Sequence, residues 1–199
     1  MQNLEKSHIL QYEMHLLHST AIGTEVIDEA DHQLQGVVAE ILLDPDRGKI
    51  VALFIASPLS RDFLVLQTQD ILSWGQRIHI AEAERIAPPQ DILRLAPFLE
   101  EKRKMLGQRI QTKSGIVIGK CVDFQFNAER FNVEWIFPRK LLRKGIPLPA
   151  TDILEVTEEA IIVKDQTPKE EKAPVEERVE APKLEPVITP APGRSIEEC

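Results

Sequence analysis

The chain has 199 residues, with 24 basic and 32 acidic side chains and a formal net charge of −8. That balance disfavours non-specific duplex binding, which rests largely on phosphate neutralisation. No apolar run approaches the ~20 residues a bilayer-crossing helix needs, and the start lacks the layout of a signal peptide, so the expected setting is the cytoplasm.

Residues 1–18 carry Leu4, Ile9, Leu10, Met14, Leu16 and Leu17 with little turn chemistry, which suits a short helix or an extended lead-in. From residue 22 the period becomes that of strands. Val26-Ile27 precedes a polar stretch, Asp28 to Gln33, that reads as a hairpin turn. Gly36 to Leu43 is β-branched and apolar, a buried strand. Asp44-Pro45-Asp46-Arg47-Gly48-Lys49 is turn chemistry: proline presets φ, aspartate caps and glycine accepts positive φ. Ile50 to Ile55 returns as the paired strand. Phe63 to Leu66 and Ile78 to Ile80 are further short strands, with a turn or single helical turn at Asp70 to Trp74 that places Trp74 as a cap on this first half.

Pro88-Pro89 stops any strand, and residues 82–104 read as a connector with short helical turns around Pro97. Strand periodicity then resumes. Arg109 to Gln111 leads into the turn Thr112 to Gly115, the long strand Ile116 to Phe126 and the hairpin turn Asn127 to Arg130. Phe131 to Phe137 alternates with period two, so Phe131, Trp135 and Phe137 are expected in the core rather than free to stack on bases. Ile153 to Val156 and Ile161 to Val163 close this half. Residues 164–199 hold six prolines and no aromatic residue, too little apolar surface to offset ordering entropy. They are expected to form a disordered tail, either merely solvated or acting as a tether.

The two halves repeat one plan. Gly23 pairs with Gly107 at an offset of 84, Gly36 with Gly119 and Phe54 with Phe137 at 83, and Asp70-Ile71-Leu72 with Asp152-Ile153-Leu154 at 82. The expected organisation is a first copy with its lead-in over residues 1–81, a connector over 82–104, a second copy over 105–163 and a tail over 164–199. Charge is divided unevenly: residues 1–100 sum to −8, residues 101–163 to +3 and residues 164–199 to −3.

The run Gly36-Val37-Val38-Ala39-Glu40-Ile41 followed by Asp44-Pro45-Asp46-Arg47-Gly48-Lys49-Ile50-Val51-Ala52-Leu53 resembles the PRC-barrel family. That small β-barrel occurs in the photosynthetic reaction-centre H subunit and in the ribosome maturation factor RimM. The likeness covers residues 17–80 well and 105–163 more weakly, where Asn127-Ala128-Glu129-Arg130 replaces the Asp-Pro-Asp turn. It implies an all-β chain of two tandem small antiparallel barrels, with single-copy relatives pairing as homodimers and this chain carrying that pairing covalently as an intramolecular pseudo-dimer. The family's motifs mark turns and core strands, so they specify fold better than function. The H subunit's transmembrane helix and the ribosome factor's N-terminal domain have no counterpart here.

No catalytic, cofactor-binding or metal-binding constellation is evident. His15 and His18 are three apart, a chelating spacing on a helix, but lack the cysteine or glutamate partners of a zinc box. The aspartates around residues 28–31 and 44–46 lack a calcium loop's closing glutamate. Ser57, Ser60 and Ser114 lack the signature of an activated nucleophile. Cys121 reads as a small core hydrophobe and Cys199 as a free thiol. The candidate recognition surface is Arg139-Lys140-Leu141-Leu142-Arg143-Lys144, four cations around two leucines, read either as a solvated loop or as an electropositive patch. The expected function is a non-enzymatic adaptor docking a protein partner. The alternative is an RNA-processing or ribosome-assembly accessory factor acting through Arg139, Lys140, Arg143 and Lys144.

Overall fold

The computed structural model describes residues 14–58, 60–141 and 143–165; the expected tail from residue 166 onward and the lead-in before residue 14 lie outside them. In chain order the first half forms β1 (His15–Leu17), α1 (His18–Ala21), β2 (Glu25–Asp28), β3 (Leu34–Asp44), β4 (Lys49–Ala56), β5 (Leu64–Gln67), β6 (Ile71–Trp74) and β7 (Ile78–Ile80). The connector contributes β8 (Ile86–Ala87) and α2 (Ala96–Leu99), with short 3-10 turns between them. The second half forms β9 (Arg109–Thr112), β10 (Val117–Asn127), β11 (Asn132–Lys140), β12 (Arg143–Lys144), β13 (Leu148–Pro149), β14 (Ile153–Val156) and β15 (Ala160–Val163). The protein is all-β, and its main strand order is β14-β15-β9-β10-β11-β4-β3-β2-β7-β6. That path stays open at both ends and does not close into a barrel.

The internal repeat is visible in the register. β7 runs parallel to β2, pairing Val26 with Ile78, and β15 runs parallel to β9, pairing Ile110 with Ile161. β3 and β10 each make an antiparallel hairpin with the strand that follows, β4 and β11. Both hairpins carry bulges at the same places: Ala39 and Val51 are extra residues in copy one, Val122 and Glu134 in copy two. The glycines at 36 and 119 share one cause. A Cβ on Gly36 would lie 2.5 Å from the Ala56 carbonyl oxygen, and a Cβ on Gly119 2.6 Å from that of Arg139. The adjacent strand's backbone leaves room for hydrogen alone.

The hairpin turns repeat too. Asp44 Oδ1 accepts the amides of Asp46 and Arg47, and Asn127 Oδ1 accepts those of Glu129 and Arg130. Both side chains are buried, and each oxygen is capped by its own turn; among the described residues Asn127 Nδ2 finds no hydrogen-bond partner. Gly48 takes the positive φ that turn chemistry predicts, +60°; in copy two Phe131 adopts it at +54°. The two turns then bond to each other. The Ile50 amide donates to Phe131 O and the Val133 amide donates to Gly48 O, both at 2.8 Å, flanking the pair Lys49–Asn132. Under the 83-residue offset each bond is the other's image, the reciprocity of a two-fold contact.

The main core is drawn from both copies. Val26, Ile50, Leu53, Ile55, Ile78 and Ile80 pack in one cluster with Ile110, Cys121, Phe126, Ile136 and Ile161. Burial pushes the Cys121 thiol up to about 12, an inert core position. Two expectations change here. Asp70 to Trp74 is not a turn throughout: a 3-10 turn at Thr68–Asp70 is followed by the strand β6. Trp74 therefore does not cap copy one. It lies in the shared core, with ring centroids 5.3 Å from Phe126 and 6.4 Å from Phe131 of copy two.

The expected burial of Phe131, Trp135 and Phe137 on one face also needs correction. Val133 pairs with Phe126 and Trp135 with Gln125, leaving Glu134 as the bulge residue. An extra residue inverts the alternation. Val133, Ile136 and Pro138 thus point inward, while Trp135 stands on the outer face, exposed. Phe131 sits half-buried at the turn against the core.

Candidate functional site

The register of copy two brings together cations that lie far apart in sequence. β9 pairs Arg109 with Lys120 of β10, β10 pairs Lys120 with Arg139 of β11, and β11 pairs Arg139 with Lys144 of β12. Directly opposed residues share a face of the sheet. Four cations therefore form one row across four strands, about 14 Å long at the usual strand spacing. All four are exposed. Among the described residues none of them makes an ion pair or a side-chain hydrogen bond. Like charges directly opposed across strands are destabilising, so the row costs some fold stability.

Of the four residues singled out in sequence, Arg139 and Lys144 join this row. Lys140 pairs with Arg143 one step closer to the turn, on the opposite face of the hairpin, because successive side chains alternate. Leu141 at the turn has φ +54° and is 90% exposed; it does not cover the sheet. Arg109 and Lys120 escaped sequence reading. Each is a lone cation in its own strand, and only strand register places them beside Arg139. The row continues into a shallow basin lined by Lys102, Lys104, Arg109 and Lys120, with Glu158 and Glu159 also on its wall.

Two further features share this outer face. Trp135, exposed, and Phe137, partly buried, precede Arg139 on β11 at alternate positions. Asp123, opposite Phe137, is an anion near the row, but its carboxylate is engaged: Oδ2 accepts the Ser19 hydroxyl at 2.6 Å and Oδ1 the Ser19 amide at 3.2 Å.

Several other titratable groups are tied into structure. His15 Nδ1 lies 2.7 Å from Glu134 Oε2 and His79 Nδ1 lies 2.7 Å from Glu29 Oε2. His15 stands in β1 and His18 in α1, so the pair does not share a helix face. Burial lowers the His18 pKa, only partly countered by Asp123 and Glu40. Arg103 bridges three segments. Its guanidinium meets both Asp46 oxygens at 2.6 and 3.0 Å, both Glu101 oxygens, and Val156 O at 3.3 Å. Those bonds hold the Glu101 carboxyl down at about 2 and lower that of Asp46. A cleft of about 310 Å³ beside this staple is lined by His18, Glu40, Phe98, Glu101 and Phe124 among others. Its guanidinium is already committed to carboxylates. Among the described residues no helix is long and apolar enough to cross a membrane, and no three His, Cys, Asp or Glu side chains gather as a metal site. No protein-family model matches this chain, and no curated protein matches it.

Proposed function

We propose that this chain is a non-enzymatic cytoplasmic adaptor built from two PRC-type barrel modules, whose second copy docks an acidic protein surface on the row Arg109, Lys120, Arg139 and Lys144. The duplicated pairing, the paired glycines 36 and 119 and the matching capped turns support the module assignment. One observation carries the docking reading: four exposed cations stand in register, and among the described residues no anion is paired to them. The equivalent positions in copy one are Glu25, Val37 and Ala56, in the same cross-strand order, and Glu25 there is paired to Arg77 at 2.8 Å. A structural need of the fold would apply to both copies. The charge is confined to one.

A second reading has one observation in its favour. Trp135 shares the face of the row, and an exposed aromatic beside a line of cations can stack a base while the cations meet phosphates. The test is capture from native lysate by the full chain, with and without nuclease, beside the triple variant Arg109→Glu, Lys120→Glu, Arg139→Glu. The adaptor reading expects a defined protein that survives nuclease and is lost with the triple variant. Material that nuclease removes, with a steep loss on raising salt, makes RNA the ligand. A partner retained equally by the triple variant removes the row from either role.

A further inference from the structure

In copy one the part of the outer face around Ala52 and Val65 is covered. Ala52 and Val65 are fully buried beneath Leu95, with Ile92 and Phe98 packed alongside, and β8 pairs with β5 at the edge. The cover is the connector, which is the lead-in of copy two. One copy's lead-in thus closes the other copy's outer face.

The repeat offset carries Leu42, Ala52 and Phe54 onto Gln125, Trp135 and Phe137. No described residue closes that face: Trp135 is 41% exposed where Ala52 is 0%. The same 83-residue offset carries the covering run Ile92-Leu93-Arg94-Leu95 back onto Ile9-Leu10-Gln11-Tyr12. These residues belong to the lead-in of copy one, and the chain that follows them already crosses to copy two. β1 pairs with β10, Leu17 opposite Gln125, the Ala128 amide donates to Met14 O at 2.9 Å, and His15 meets Glu134. Tyr12 is three residues from His15, a reach of up to ~10 Å. Trp135 stands on the strand next to the one β1 pairs, about 5 Å further.

We propose that Ile9–Tyr12 dock on Trp135 and Phe137, so that the two copies exchange lead-ins as the two halves of a swapped dimer do. The occupant is apolar where the face is apolar, and its counterpart fills the equivalent face in this same chain. This docking stands independently of what the cation row binds. It would also hold bases away from Trp135.

Acrylamide quenching of tryptophan fluorescence tests it in the full chain. Trp74 is buried and supplies a protected component that reports an intact core; Trp135 reports the face. The expected result is weak quenching of the parent chain and, for the double variant Ile9→Asp, Tyr12→Asp, a rise of the quenchable fraction to about half of the two-tryptophan signal, with Trp74 still protected. Trp135→Ala gives a converse readout, faster amide exchange over residues 7–14. Equal quenching of parent and double variant, or exchange unchanged by Trp135→Ala, overturns the proposal. Protection that grows with protein concentration and persists in the double variant assigns the face to a second copy and overturns it as well.

Discussion

The two copies share a backbone plan down to the placement of their bulges, yet their outer faces differ in kind. Copy one presents Glu25, Val37 and Ala56 in a line and buries Ala52 and Val65 under its connector. Copy two presents Arg109, Lys120, Arg139 and Lys144 in the corresponding line and, among the described residues, has no cover over Trp135. What is common to both copies follows from the demands of the fold: the glycines under a neighbouring carbonyl, the capped turns, the inward face. What differs is free of those demands, and so it marks the surface on which a partner can act.

The largest expected effect tests the shared core. Phe126→Ala removes the ring that Trp74 packs against and should cost about 3–5 kcal/mol, read by denaturant unfolding. Its counterpart Leu43 is only partly buried, so Leu43→Ala should cost clearly less; equal costs would mean that the copies contribute alike to the core. Next come the glycines. Gly36→Ala and Gly119→Ala both force a methyl onto a backbone carbonyl, and each should destabilise by roughly 1–3 kcal/mol. A marked inequality in thermal unfolding would break the equivalence of the two hairpins.

Acid sharpens the comparison at another equivalent pair, His18 and Glu101. The Glu101 carboxyl is held at about 2, below its ordinary 4.5. Its contribution is therefore present above 4.5 and is lost as pH falls through the folded value. Arg103→Met should flatten that part of the stability–pH curve. His18 behaves as a buried base with a lowered pKa. Its contribution is present above the ordinary 6.5 and declines as pH falls below it, earlier in an acid titration than the staple. His18→Gln should remove that upper limb and leave the lower one. The smallest stability effect belongs to the row. Arg109→Glu, Lys120→Glu and Arg139→Glu should each change stability by no more than about 0.5 kcal/mol, while the three together abolish capture of the partner. A large loss of stability would make the row structural.

Turn chemistry and alternation made much of this protein legible. Asp44 to Lys49 could only be a turn, because proline, aspartate and glycine each supply a local backbone need. The repeat was readable because equivalent close approaches of neighbouring strands demand the same residue type at the same spacing, as Gly36 and Gly119 show. The face of Trp135 was not readable. Period two predicts an inward ring, and a single bulge residue, Glu134, reverses it; nothing in the local sequence announces that extra residue.

The sequence by itself determined the all-β class, the duplication and the turns, since these rest on short-range sterics and hydrogen bonding. Tertiary structure alone decided that the copies share a core, that Trp74 belongs to both, and that Arg109 and Lys120 stand beside Arg139. Those outcomes depend on strand register and on packing between segments far apart in the chain, and no local propensity encodes either.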